Sequence, residues 1–224
     1  MQRGRCMSRI RRMAATPPLT ALAVGSLIGC TSAQTTNGAA DSAAARVAQD
    51  TSSGPELIPA GKGTLRQDDI AIRLQLPGVQ VKLIPMQESI LRVLSPDSYR
   101  ALHDLLESRR RELTDLANRR GMRSGSVWYV QFFGLEPDAR FVPTDVNITS
   151  FGRDYRPIEI LPVTSGFGNQ RLQQHERQAA LYLFEDGIEI EQPLTASIGE
   201  VRNSVWETTL RRIRQERALI RSRS

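Results

Sequence analysis

Two histidines, two cysteines and a scatter of acids near turns are the residues of this chain with types suited to chemistry. His103 lies between Leu102 and Asp104 in an arginine-rich stretch. An imidazole there could act as a ligand or base, but the simpler reading is a partly exposed helix residue. His175-Glu176-Arg177-Gln178-Ala179 begins like the zinc motif H-E-x-x-H and lacks its second histidine. Zinc takes three or four protein ligands, so His175 reads as a loop residue before a strand and no metal is expected. Gly166-Phe167-Gly168-Asn169-Gln170-Arg171 superficially resembles a phosphate-binding glycine loop. A dinucleotide fingerprint needs a third glycine, a preceding parallel strand and a following helix. Antiparallel-looking strands surround this stretch, which makes a hairpin loop the better account. No G-x-S-x-G elbow, P-loop or zinc-finger spacing occurs, and no cofactor is expected. Glu136, Asp138, Asp145 and Asp154 fall near turns. Two of them would serve glycoside hydrolysis only by meeting at a defined separation in a cleft; surface solvation is the ordinary reading. No catalytic residue is assigned. Whether the chain is an enzyme stays open, with the balance of residues against it.

The cysteines point elsewhere. Arg3, Arg5, Arg9, Arg11 and Arg12 precede an apolar run from Leu19 to Ile28, followed by Gly29 and Cys30. Basic head, short apolar core and a small residue at the junction make a secretory signal. The run is too short for a membrane span of about 20 residues, and Pro17-Pro18 interrupts its front. Leu27-Ile28-Gly29-Cys30 resembles the lipobox of bacterial lipoproteins, whose cysteine is lipidated and becomes the new first residue. The resemblance implies a lipid on Cys30 and a protein anchored outside the cytoplasm. An ordinary signal cut after Ala33 and a retained span are the rival readings. Arg11-Arg12 fits a twin-arginine signal poorly, and Met7 would serve as a start equally well. Thr31 follows the cysteine where enteric sorting rules place an Asp for inner-membrane retention. The periplasmic face of the outer membrane is therefore expected over the inner membrane. Cys6 leaves with the signal, so no disulfide or thiolate metal site is available.

Removing the signal also changes the charge. The chain holds 30 basic and 24 acidic residues. Without the five signal arginines the balance is 25 against 24, a net of +1. The basic character of the whole is no argument for nucleic acid, which is not expected as a partner. The C-terminal stretch is different. From Val201 it carries seven arginines against Glu207 and Glu216, a net of +5. Arg211, Arg212, Arg214 and Arg217 could meet anionic headgroups or an acidic partner. The plainer reading is a solvated helix face whose Trp206, Leu210 and Ile213 pack on the body, with the core contact ending near Arg217.

Residues 31–65 are rich in Thr, Ser, Ala, Gly and Gln, and no aromatic occurs before Tyr99. Such a stretch buries too little apolar surface to offset the entropy of ordering it. A flexible chain of that length spans roughly 30 Å. Order is expected from about Asp68. Ile70, Ile72, Leu74 and Leu76 alternate with Ala71, Arg73 and Gln75, and Val79, Val81 and Leu83 with Gln80 and Lys82 beyond Pro77-Gly78. That is strand periodicity, and a hairpin follows, although Pro-Gly suits a type II turn better than the usual two-residue hairpin turns. Leu83 to Leu94 reads as a strand end followed by one or two helical turns. Ser95-Pro96-Asp97 then supplies a cap, a proline at the first helical position and an acid facing the macrodipole. Tyr99, Leu102, Leu106, Leu113 and Leu116 recur at helical spacing as far as Gly121. Arg100–Asp104, Glu107–Arg111 and Asp115–Arg119 are the expected i,i+4 pairs. Beyond Gly121 the pattern turns to β: Val127–Phe133, a segment around Phe141, Val146–Thr149, Pro157–Val163, Gln178–Phe184 and Ile188–Ile198, a series that suggests a sandwich or barrel. Asn203-Ser204 caps a last helix.

Val127 to Ile198 resembles the immunoglobulin-like domain of unknown function found in many bacterial lipoproteins and secreted proteins. Phe141-Val142-Pro143-Thr144-Asp145-Val146 is similar to that family's F-x-P-x-D-F step into a strand. Gly152-Arg153-Asp154-Tyr155-Arg156-Pro157 is similar to its G-x-x-Y-x-P turn. Leu172–Glu176 with Ala180–Phe184 is similar to its L-x-P-G-E … L-x-F strand, with Gln174-His175 in place of the Pro-Gly. The resemblance implies a fold and a binding or interaction role, with no catalytic residues to carry over.

The expected fold is α+β: an immunoglobulin-like antiparallel β-sandwich preceded by a β-hairpin and a long helix and followed by a C-terminal helix. Residues 1–29 are expected as signal peptide and 30–65 as a lipidated, disordered tether. Residues 66–224 make one folded domain: hairpin and helix over 66–126, β-sandwich over 127–199 and basic C-terminal helix over 200–224. The expected function is a lipid-anchored cell-envelope binding or structural module without catalysis. It would reach the membrane through Cys30 and engage an envelope protein, lipid or glycan. An envelope hydrolase with an unrecognised carboxylate site is the alternative.

Overall fold

The computed structural model describes residues 57–122 and 125–223. The signal and Cys30 lie outside the described residues. Alternation builds the first sheet. Ile72 and Leu74 are buried and Arg73 and Gln75 exposed in β1 (Ile72–Leu76), and β2 (Val79–Pro85) buries Val79, Val81 and Leu83. Successive side chains of a strand point to opposite faces, so each strand presents one apolar side. The two pair antiparallel with Leu76 opposite Val79, leaving only Pro77-Gly78 in the turn. Gly78 has φ +69°, which the second central residue of a type II turn requires.

One helical turn, α1 (Glu88–Leu91), follows, and then the long α2 (Pro96–Arg119). Pro96 stands at the start of α2 as expected, but Ser95 makes no side-chain cap; its carbonyl instead accepts the Tyr99 N–H at 2.8 Å. The expected i,i+4 pairs give way to i,i+3 pairs: Arg100 with Asp97, Arg109 with Glu112 and Arg110 with Glu107. Both spacings share a helix face, so these side chains reach the nearer acid.

The remaining elements are β3 (Ser126–Gly134), β4 (Ala139–Arg140), β5 (Val146–Ser150), β6 (Arg153–Tyr155), β7 (Glu159–Pro162), β8 (Arg171–Leu172), β9 (Arg177–Phe184), β10 (Leu194–Ile198), β11 (Val201–Asn203) and α3 (Trp206–Arg223). β3 alternates strictly, with Trp128, Val130 and Phe132 wholly buried. Five strands form one antiparallel sheet in the order β1-β2-β3-β9-β7, four form another in the order β11-β10-β5-β6, and β4 pairs β8. The molecule is thus α+β with antiparallel sheets and a C-terminal helix. The expected division at residue 127 does not follow the sheets, because β1 and β2 supply two strands of the same sheet as β3. The stretch expected as strand from Ile188 to Ile198 forms one only from Leu194.

One apolar core joins both sheets and α3. Its largest side chains carry polar tips that find partners. Trp206 Nε1 donates to the Ile190 carbonyl at 2.8 Å, Trp128 Nε1 to Ser126 Oγ at 2.9 Å, and the Tyr182 hydroxyl to the Pro143 carbonyl at 3.0 Å. A buried indole or phenol without a partner would pay its desolvation uncompensated.

Two expectations about the ends are corrected. The tether was expected to reach residue 65, yet Ile58 is buried and Arg92 donates to its carbonyl at 3.0 Å. Leu65 pairs in parallel with Leu94, and a Cβ on Gly63 would lie 1.9 Å from the Val93 carbonyl oxygen. Ile58 lies in the core and Leu65 packs against it, and hydrogen bonds to Thr64 and Leu65 hold the chain between them. On α3 the apolar stripe does not stop near Arg217. Ile220, seven residues past Ile213 and so on the same face, is 1% exposed.

Candidate functional site

The five-stranded sheet has a second face, turned away from the core side chains, and its pairing register decides what stands there. Arg73 sits opposite Lys82, and Lys82 opposite Gln131. In the next row Gln75 is opposite Gln80, Gln80 opposite Phe133, and Phe133 opposite Arg177. Two cross-strand rows therefore bring cations, primary amides and one aromatic ring together from four strands. Towards the other end of the same face, α2 lies across it: Leu113 and Ala117 line a narrow gap with Val127 and Leu183. The end carrying Arg73, Lys82, Gln80 and Arg177 is left as an open groove of about 400 Å³.

The turn before β1 contributes the groove's one carboxylate. Asp68, in a single 3-10 turn (Gln67–Asp69), lies 3.2 Å from Arg73 and 3.4 Å from Lys82. Partial burial works against its charge, but Lys82 and Arg73 outweigh it and hold the carboxyl below the usual aspartate range. Asp68 is thus an anion at neutral pH rather than a proton donor. With Arg73, Lys82 and Arg177 against it, the groove carries a net charge of +2. The Tyr129 hydroxyl donates to Gln131 Oε1 at 3.3 Å, which orients that amide. Burial pushes the Tyr129 phenol up, and Arg177 opposes the shift. The Arg177 guanidinium lies 5.6 Å from the centre of the Phe133 ring, within cation–π range.

These groups can recognise charge and hydrogen-bonding patterns, and none of them is an activated nucleophile. His175 stands at the rim, its ring 6.0 Å from that of Phe133. It is an exposed loop residue just before β9, with φ +63° and its N–H donated to the Gly134 carbonyl at 2.8 Å.

His103 belongs to a separate polar cluster where α1 meets α2. Glu88 Oε1 accepts from Arg92 Nε at 2.7 Å and from the Tyr99 hydroxyl at 2.8 Å. His103 stacks on Tyr99, its Nδ1 3.2 Å from that hydroxyl and 3.5 Å from Glu88 Oε2. Burial and the Glu88 hydrogen bond push the Tyr99 phenol up to about 12. Tyrosine keeps its proton and gives it to the carboxylate as a hydrogen bond, which ties the short helix to the long one. His103 is half-buried there, the partly exposed helix residue expected from the sequence.

The other candidate residues are dispersed. Asp138 pairs with Arg171 at 3.3 Å, and Asp154 accepts from Thr149 Oγ1 at 2.6 Å. None of Glu136, Asp138, Asp145 and Asp154 lines the sheet-face groove. Gly166 to Arg171 leads through one 3-10 turn with Phe167 buried into β8, not into a helix. Among the described residues, no three His, Cys, Asp or Glu side chains gather so as to hold a metal ion. Three of the six arginines of α3 are engaged with the body of the protein. Arg212 pairs with Asp69 at 2.9 Å, and Arg214 donates to the Glu191 carbonyl at 2.7 Å. Arg217 grips both Glu191 carboxylate oxygens at 2.9 and 2.7 Å and the Ser89 carbonyl at 2.9 Å. Arg211 reaches Thr208 on its own helix, at 3.1 Å.

Sequence reasoning did not find the groove. Alternation marks Arg73, Gln75, Gln80 and Lys82 as one face, but only the register with β3 and β9 adds Phe133 and Arg177. No family model matches the chain, and no curated protein or solved structure matches it either.

Proposed function

We propose that the protein is a lipid-anchored binding module of the cell envelope, acting by recognition and not by catalysis. In this reading residues 1–29 direct export and Cys30 carries the lipid. The folded part then stands at the periplasmic face of the outer membrane, with an immunoglobulin-like sandwich as its frame. The Leu-Ile-Gly-Cys junction supports the anchor, and the two antiparallel sheets around one core are compatible with the frame. The observation that carries the binding role is the sheet-face groove, where Arg73, Lys82 and Arg177 outnumber Asp68 and flank a half-exposed Phe133. With Asp68 shared between Arg73 and Lys82, the face keeps an excess of two positive charges beside an accessible aromatic ring.

Two measurements test this. Cys30→Ser should move the protein from the membrane to the soluble fraction and abolish lipid labelling; unchanged fractionation would refute the anchor. The Cys30→Ser chain, added back to washed envelope fragments, should bind saturably, and Arg177→Glu should abolish that binding. Retention that never saturates, or that ignores Arg177, would refute the groove's role.

A further inference from the structure

We infer that the sheet-face groove binds an acidic saccharide, lying across the strands with a sugar ring on Phe133. This rests on the binding-module reading and adds the class of ligand. Four strands contribute, from Arg73 on β1 to Arg177 on β9. Three steps of about 4.8 Å between neighbouring strands separate them, about 14 Å across the sheet, with a further offset of two residues along it. That distance suits a chain of several sugar units better than a lone anion. The side chains match such a ligand part by part. Phe133 offers a ring face to the apolar face of a pyranose. Gln80 and Gln131 each present an amide, able to donate to and accept from hydroxyl groups. Arg177 stands beside the ring in its own row, and Arg73 and Lys82 stand in the neighbouring row, towards the opposite edge of the groove. Anionic substituents at both ends of a short oligosaccharide therefore find cations.

Other ligands fit less well. A protein partner would want a desolvated apolar anchor pocket at the centre, and this floor is mostly amide and cation. A single-stranded nucleic acid would want successive stacking platforms, and the groove has one aromatic ring. A lone phosphate would leave the far cations unused. Asp68 makes the inference sharper. Sharing Arg73 and Lys82, its carboxylate competes with any incoming anion at that end.

The test is calorimetric titration of the full-length Cys30→Ser chain with a short oligouronate. A neutral oligosaccharide of equal length, inorganic phosphate and an oligothymidylate are titrated beside it. The oligouronate should bind saturably and lose affinity as salt rises. The other three should bind at least tenfold more weakly. Phe133→Leu and Arg177→Gln should each weaken binding about tenfold, or ~1.4 kcal/mol, with melting unchanged, because both side chains are solvent-accessible. Asp68→Asn should tighten binding threefold or more, a sign that general loosening of the fold would not produce. Equal binding of the neutral sugar, equal binding of phosphate or tighter binding of the oligonucleotide would each overturn the saccharide assignment. So would an oligouronate that fails to bind a chain still retained by envelope fragments in an Arg177-dependent way. Loss of envelope retention itself would refute the binding module and the saccharide with it.

Discussion

The long helix α2 spans 24 residues and buries only Leu102 and Leu113, whereas α3 buries six side chains in 18. Both are rich in arginine, and the arginines behave differently. On α2, Arg100, Arg109 and Arg110 pair with acids one turn away on the same helix. Such exposed pairs contribute about 0–1 kcal/mol. On α3, Arg212, Arg214 and Arg217 reach Asp69, the Glu191 carbonyl and the Glu191 carboxylate, all outside the helix. Local charge pairs support a helix without docking it to the rest of the molecule. A helix whose charges and apolar stripe are both satisfied elsewhere is part of the core. High positive charge near a chain end is therefore no sign of a free tail; the location of the partners decides.

The contrast can be attacked first at Trp206. The indole is fully buried and hydrogen-bonded to Ile190, so Trp206→Ala should cost about 3–5 kcal/mol in denaturant unfolding. A wild-type midpoint would mean α3 is not part of the core. Truncation after Arg217 comes next. It removes Ile220 and should cost about 2–5 kcal/mol by the scale for deleting a buried aliphatic side chain; an unchanged melting temperature would restore the picture of a solvated end. Leu113→Ala on α2 should fall at the bottom of that range or below, about 2 kcal/mol or less. The gap of about 180 Å³ beside Leu113 already leaves the side chain incompletely enclosed. A loss as large as that of Trp206→Ala would erase the distinction between the helices.

The smallest effect is expected where α1 joins α2. Burial works against the charge on Glu88, but hydrogen bonds from Arg92 and Tyr99 outweigh it and hold its carboxyl below the usual glutamate range. A depressed folded-state pKa stabilises above the unfolded-state value and loses that contribution as pH falls through the folded value. The junction should therefore loosen only below about pH 4, seen as faster amide exchange at the start of α2. Glu88→Gln should remove the pH dependence. Its persistence in that variant would assign it to another carboxylate.

The legible parts of this fold are those where periodicity acts alone. Trp128, Val130 and Phe132 announce both β3 and its buried face, and Trp206, Leu210 and Ile213 announce α3. The helix itself was expected over 200–224, but the reach of its buried stripe was hidden because Glu216 and Arg217 interrupt the stripe before Ile220. Glu216 is buried all the same, its Oε1 accepting from the Thr64 backbone N–H and hydroxyl at 2.9 and 3.0 Å. No local pattern could reveal that partner, 152 positions away in sequence. The groove was hidden for a related reason. Its residues are ordinary on each strand and become a site only through lateral register, which a one-dimensional pattern does not contain.

The Thr64–Glu216 bonds bear on how the domain would carry mechanical load. Tension arriving through the chain ahead of Leu57 meets the Ile58 carbonyl, held by Arg92, then the two Thr64 bonds to α3, then the Leu65 pairing between Val93 and Ser95. Only when these have yielded does the pull reach β1, the edge strand of the sheet that bears the groove. The C-terminal helix thus acts as a clamp on the incoming chain. Arg73, Lys82 and Phe133 would keep their spacing until those contacts had given way.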